Sequence, residues 1–466
     1  MGAIDVPANR YWGAQTQRSL IHFSIGDDHM PKAVYHAYGY VKKAAAIVNG
    51  RDGRLPQWKA DLIVRVCDEV IAGKLDDNFP LYVWQTGSGT QSNMNTNEVI
   101  SNRAIQLVGG ELGSKTPIHP NDHVNMGQSS NDTFPTAMHL ATLLAVRDRT
   151  LPQLKGLADA IWEKAKQWVD VIKIGRTHLQ DATPLTVGQE WSGWTVQLRD
   201  ASDRLERALD GCHELAAGGT AVGTGINAPE GFGQAIAAEL AKLTGLPLRT
   251  APNKFAAQGS LDAMVAVSAG LRGVAVALMK IANDMRWLAS GPRAGLHELE
   301  LPANEPGSSI MPGKVNPTQQ EAMVMVCLQV IGEDSIVASA GAQGNFELNA
   351  MRPIIINNVL HSARILGDMC DKLRRYSVEG VELDHHKVDE YVGRSLMLVT
   401  ALSPHIGYDK ASAIAHRADD QGTTLREAAL AMGVSAADFD RIVDAKTMVG
   451  HPRQDLGLRA RSGTTT

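Results

Sequence analysis

Residues 256–290 read AAQGSLDAMVAVSAGLRGVAVALMKIANDMRWLAS, a stretch without a proline. Within it Met264, Leu271, Val274, Leu278, Ile281, Met285 and Leu288 recur at three-, four- and seven-residue spacing, the period of one helical face. A single helix of this length would span roughly 50 Å at 1.5 Å per residue, wider than an ordinary domain, and so calls for packing within a bundle. Gly270, Ala275, Ala277 and Ala282 permit close backbone approach, and an aromatic content of 5% suits tightly packed helices better than a sandwich. Similar patterns over 137–168, 187–215 and 321–340 read as helical, with Pro152, Gly332 and Gly341 marking a kink, a break or an end.

The expected fold is therefore mainly α, in three domains. Residues 1–130 form a domain mixing short helices with loops, 131–385 the long-helix bundle, and 386–466 a small, charged C-terminal helical domain. Helices this apolar and this small in side chain are expected to bury faces against another subunit, which predicts a homo-oligomer; a monomeric bundle is the alternative. An Arg-Ser-Gly-Thr-rich tail after Gly457 is expected to be disordered.

At 466 residues and 44% hydrophobic, the chain can bury a large core. A net charge of -5 gives no basic footprint for nucleic acid, while a small anionic substrate is compatible with it. Cys67, Cys212, Cys327 and Cys370 are scattered, with no C-x-x-C pair, and read as reduced core residues rather than metal ligands. No signal-peptide pattern opens the chain and no 18 apolar residues run uninterrupted, so a soluble, cytoplasmic protein without a membrane partner is expected.

The chemistry gathers in four polar segments. Gly307 to Pro317 reads Gly-Ser-Ser-Ile-Met-Pro-Gly-Lys-Val-Asn-Pro, a loop fenced by Pro306, Pro312 and Pro317. Its Ser308, Ser309, Lys314 and Asn316 suit a carboxylate ligand, although the same composition also describes a solvated connector. Thr86-Gly-Ser-Gly-Thr-Gln91, running into Ser92 and Asn93, is either an anion-holding turn near a helix start or simply an N-cap. His119, Pro120, Asn121 and Asp122 form either a second anion loop or an Asx turn, with His123 too isolated to argue for a metal. Ser129, Ser130, Asn131 and Asp132 precede the helical run starting near Ala137, and Thr177-His178-Leu179-Gln180-Asp181 places His178 on irregular chain. A histidine there becomes a candidate acid or base once a carboxylate orients it.

Together these segments resemble class II fumarases, the metal-independent fumarate hydratases of the fumarase/aspartase superfamily, from Gly2 to about Gly450. The 307–317 loop marks the superfamily. The 86–91 turn, Gly313, and Thr318, Gln319 and Glu321 are similar to fumarase rather than to aspartate ammonia-lyase; another superfamily lyase, such as that one, is the first alternative and a non-catalytic homologous scaffold the second. The resemblance implies a lyase of the tricarboxylic acid cycle that hydrates fumarate reversibly to L-malate through an aci-carboxylate intermediate, with no cofactor and no metal.

Carried over by position, it implies Ser308 as the base, with Lys314, Val315 and Asn316 at the developing aci-carboxylate and Ser309 beside them. It implies His178, paired with Glu321, on the water side, and Ser88, Gly89, Thr90, Ser129, Ser130, Asn131 and Thr177 around the other carboxylate. What stabilises a serine alkoxide is left open among Lys314, the loop amides and the following helix. The resemblance further implies a homotetramer cored by the long helices of four subunits, each active site shared by three chains, and a secondary anion site at His119, Pro120, Asn121 and Asp122. The chain departs from the family at Met1-Gly2-Ala3-Ile4, where relatives usually carry a short preceding segment. It departs again at Thr116, where they often have an arginine that Lys115 would have to replace.

Overall fold

The computed structural model describes residues 2–456 as a mainly helical chain with three two-stranded sheets. The tail after Gly457 lies outside the described residues. The chain divides into two compact units: Met1–Pro152, Asp203–Ala275 and Cys327–Gly367 form the first, and Gln153–Ser202, Val276–Val326 and Asp368–Thr466 the second. The expected ranges 1–130, 131–385 and 386–466 follow chain order, whereas each unit draws on three separated stretches.

In the first unit, helices Lys32–Arg51 and Gln57–Ile71 lie against each other, each beginning after a proline, Pro31 and Pro56, whose fixed φ suits a helix entry. Gly39 makes their approach possible, since a Cβ there would stand 2.8 Å from the Ile71 side chain. Val34, Tyr35, Val41 and Val48 from one helix and Ile63, Val66 and Val70 from the other are wholly buried. Helices Thr90–Leu107 and Ser130–Ala145 pack on this pair. These are longer elements than the short helices expected before residue 130, because both helices of the first pair have a continuous apolar stripe to bury.

The second unit holds the antiparallel hairpin Ile172–Thr177/Gln180–Thr186, which packs on helix His385–Arg394. A separate C-terminal core gathers Leu402, Ile414, Ala418, Leu425, Ala429 and Phe439 from short helices. Trp168 and Trp191 meet edge to face at 4.9 Å.

The long-helix pattern is present with altered boundaries. The 256–290 run is two helices, Lys254–Gly259 and Asp262–Leu288, the latter about 40 Å long rather than 50 Å. Ser260 takes extended angles between them, and its hydroxyl lies 3.1 Å from both Asp262 Oδ2 and the Ala256 carbonyl oxygen, with one hydrogen to give to either. The helix expected from Ala137 starts earlier, at Ser130, and passes through a wide turn, Val146–Thr150, into Leu151–Gln167; Pro152 follows that wide turn, where a missing N–H costs least. Helix Val187–Ala208 tightens into a narrower turn at Leu209–His213. Gly332 does not interrupt helix Thr318–Gly341, and Gly341 ends it. The 25-residue helix Arg352–Tyr376 was not singled out from the sequence.

Among the described residues, Asp262–Leu288 and Thr318–Gly341 are long and apolar enough to cross a membrane, with mean hydropathy 1.7 and 1.5. Both leave large apolar side chains exposed: Val276 and Trp287 on one, Met325, Leu328 and Ile336 on the other. All four cysteines are buried, as expected of core residues.

Candidate active site

In the first unit the Thr86–Gln91 turn ends at Gly89, whose left-handed φ of 77° sets the start of helix Thr90–Leu107. No other residue fits, because a Cβ at Gly89 would fall 2.2 Å from the Phe134 ring and one at Gly87 would fall 1.4 Å from the Ala350 carbonyl oxygen. Ser88 Oγ and Thr90 Oγ1 are 2.7 Å apart, and Gln91 Oε1 accepts the Thr86 N–H at 3.0 Å. Arg352, wholly buried, locks the turn: its backbone N–H donates to Gly87 O at 3.1 Å and its guanidinium to Gln258 O at 3.0 Å. Burial pulls the Arg352 guanidinium down to about 10, which leaves it charged at neutral pH.

Ser129, Ser130 and Asn131 stand at the N-terminus of helix Ser130–Ala145. Ser129 Oγ accepts the Asn131 N–H at 3.2 Å, and Asp132 accepts the Ser129 N–H at 2.9 Å in a capping box. The other Asp132 oxygen accepts N–H groups of Gly218 and Thr220 at 2.9 and 3.0 Å. Burial raises the Asp132 carboxyl, and these three backbone donors oppose the shift. Asn131 Nδ2 donates to Ala221 O at 2.8 Å, and Ser130 Oγ accepts from Asn93 Nδ2 at 3.0 Å. Three half-buried polar side chains thus ring a helix N-terminus, a geometry suited to an anion.

His119, not an Asx side chain, makes the turn at Pro120–Val124, its Nδ1 accepting N–H groups of Asn121 and Asp122 at 3.2 and 3.1 Å. Lys59 Nζ lies 3.1 Å from His123 Nε2, and Lys115 lines a cavity together with Pro120 and Asn121. Burial and the Lys59 charge both lower the His123 pKa.

In the second unit His178 sits at the tip of the hairpin rather than on irregular chain. His178 and Leu179 have φ of 56° and 62°, the two left-handed residues of a tight two-residue turn, and Thr177 pairs with Gln180 across it. The strand leading to His178 is anchored from beneath: buried Lys173 contacts Glu190 and Glu298, each at 2.8 Å, and Arg176 also reaches Glu298. Burial disfavours the Lys173 charge, but the two carboxylates outweigh it and its pKa is raised. His178 is exposed and lines a cleft of about 1680 Å³ with Gln189, Glu190, Lys280, Trp287 and Tyr391. That volume exceeds the roughly 300–1,000 Å³ of small-molecule sites.

The 307–317 segment is a loop held by its own residues. Ser308 Oγ accepts N–H groups of Ile310 and Met311 at 3.2 and 3.1 Å. Lys314 Nζ donates to Asn316 Oδ1 at 2.6 Å, and Asn316 Nδ2 donates to Gly307 O at 2.7 Å. Gly307 is required, because a Cβ would lie 1.8 Å from Lys314 O. Ser309, Lys314 and Val315 are exposed. Glu321 is exposed in the first turn of helix Thr318–Gly341, and among the described residues it forms no hydrogen bond or ion pair with His178.

Sequence reasoning passed over Lys42, Asn125, Gln128 and Arg352. Lys42 did carry a signal: Tyr35, Tyr38, Lys42 and Ala45 fall at three- and four-residue spacing, which places a lysine on the apolar face of its helix.

Family models described as "Lyase" and "Fumarase C C-terminus" match residues 2–332 and 398–450. A class II fumarate hydratase of Methanosarcina acetivorans is 72% identical over 459 residues, covering 98% of this chain and 95% of the relative. One of Thermosynechococcus vestitus is 59% identical over 451 residues, covering 97% of each chain. The crystal structure of recombinant class II fumarase from Schistosoma mansoni superposes with a TM-score of 0.94 at 44% identity, covering 96% of this chain and 97% of that one. With the mainly α fold, the serine loop and the serine-rich helix start in place, the chain belongs to the class II fumarate hydratase family.

Proposed function

We propose that the protein adds water reversibly across the double bond of fumarate to give L-malate. The observation that carries this reading is the environment of Ser308, whose Oγ already accepts two backbone N–H groups. A serine hydroxyl is far too weak an acid to serve as a base unless its alkoxide is stabilised, and preorganised N–H donors supply that without reorganisation. Ser308 would remove the C3 proton of malate, leaving the electron pair in an aci-carboxylate. Lys314 has two N–H groups left beyond its bond to Asn316 to meet that charge. Each such donor typically contributes about 2.7–4 kcal/mol at a developing charge.

Asn316, Val315 and Ser309 complete that side. Ser88, Gly89, Thr90, Ser129, Ser130, Asn131 and Thr177 would hold the other carboxylate and the water, and His178 with Glu321 would move the proton of the leaving hydroxyl. No step in this reading calls on a metal or cofactor. A secondary anion site at His119, Pro120, Asn121 and Asp122 would draw its charge from Lys59.

The same reading makes the protein a cytoplasmic homotetramer with each active site shared by three chains. The exposed apolar side chains of the two longest apolar helices support burial against other subunits, and a shared site accounts for a His178 and a Glu321 that do not pair within one chain. The burial of all four cysteines in the core suits a reducing compartment.

The test is ultraviolet absorbance of the conjugated product, with L-malate and then L-aspartate supplied to chelator-treated protein. Fumarate from malate alone is the expected result. Fumarate from aspartate alone would move the protein to the ammonia-lyases, and silence with both would leave another superfamily lyase or a scaffold.

A further inference from the structure

Helix Lys32–Arg51 carries Lys42 wholly buried among Tyr38, Cys67, Asp132 and the turn that leads into Ser129. An amine taken out of water is tolerated only where hydrogen bonds replace its hydration. Lys42 Nζ donates to Asn125 Oδ1 at 2.9 Å and to Gln128 Oε1 at 3.0 Å, and stands 5.7 Å from the centre of the Tyr38 ring. Burial pulls the amine down to about 7, while Asp132 favours the charged form. Protonated or neutral, it has at least two N–H groups for these two oxygens, so the contact survives either state.

Asn125 Oδ1 is a shared acceptor, taking bonds from Asn93 Nδ2 at 3.2 Å and Asn97 Nδ2 at 3.3 Å as well as from Lys42. Asn125 Nδ2 donates to Gln128 O at 3.1 Å, which fixes which end of the amide faces Lys42. Asn93 spends its second amide hydrogen on Ser130 Oγ at 3.0 Å. A hydroxyl has one hydrogen. With Asn93 donating inward, the Ser130 hydrogen is left for the outer side, and among the described residues Ser130 Oγ donates to nothing.

We propose that Lys42 is a positioning residue for the substrate carboxylate. It pins the Asn125 carbonyl, Asn125 pins Asn93, and Asn93 leaves the Ser130 O–H aimed at a C4 dicarboxylate bound at the helix N-terminus. This rests on the fumarate hydratase reading with Ser130 at the carboxylate.

Steady-state kinetics on the full-length protein test it with Lys42→Met, Ser130→Ala and the double variant. Asn93→Asp is added because it is near-isosteric and turns the donor facing Ser130 into an acceptor. Lys42→Met is expected to raise KM for fumarate and L-malate about tenfold while kcat changes less than about threefold. The double variant is expected to be no more than about twofold worse than Ser130→Ala alone, because both changes act through one hydroxyl. Asn93→Asp should give the same KM-selective loss, and it carries the test if Lys42→Met does not assemble. An unchanged KM in either assembled variant, a loss confined to kcat, or a multiplicative loss in the double variant overturns the proposal. Wild-type protein that does not interconvert fumarate and L-malate overturns the parent reading and this one with it; an active wild type with any of those results overturns this inference alone.

Discussion

The two serine-bearing segments of the candidate site are built in opposite ways. Ser129–Asn131 opens a 16-residue helix, braced from behind by a buried carboxylate that holds three backbone N–H groups. Ser308–Ser309 lies in a loop where Ile310 is 83% exposed and the polar contacts run among the loop's own residues. The first cannot move without breaking a cap and burying unpaired amides; the second can re-form around a ligand at little cost to the core. Rigid recognition and an adaptable reactive loop suit a reaction in which one carboxylate is simply held while the other takes on charge.

The largest expected effect comes from the adaptable side. Ser308→Ala should lower kcat on the order of 10³-fold, with thermal midpoint and oligomeric state unchanged, because the residue supports no packing. Wild-type turnover in an assembled variant would take the base role from Ser308. Co-refolded with His178→Asn, it should recover about a quarter of wild-type activity if the two groups come from different chains, and none if they come from one.

Gly307→Ala should cost less. Its Cβ would meet Lys314 O at 1.8 Å, so the loop must open and separate Lys314 and Asn316 from Ser308. A fall in kcat of about 10–100-fold, with Tm shifted by less than about 2 °C, is expected. Unchanged kinetics would mean that the closed loop is not the working one.

The smallest effect belongs to the rigid side. Ser129→Ala removes an N-cap and should cost about 1 kcal/mol in denaturant unfolding. KM should rise a few-fold with kcat within about twofold. A fall in kcat at constant KM would contradict the division of labour between the two segments.

Much of the site was legible in the sequence because glycine, proline and short polar residues punctuate it. The 307–317 loop needs glycine at 307 for a steric reason that composition alone suggests, and Gly89 has the left-handed angle that its place before a helix invites. Less legible were the helix start at Ser130 and the hairpin under His178. The helix starts at Ser130 because Ser129 and Asp132, three residues apart, close a capping box, a signal weaker in sequence than the alanine-rich run that follows. The first strand of the hairpin is anchored by the buried Lys173–Glu298 contact, a long-range pairing that local pattern does not display.

The helical class, the positions of the polar loops and the family are readable from residue order alone, because periodicity, turn residues and motif spacing are local properties of a chain. It is folding that buries Asp132, Lys42 and Arg352 and bonds them to Ser129, Asn125 and Gly87. Whether a charged side chain faces water or braces a loop depends on which distant backbone groups reach it, and that is settled by packing.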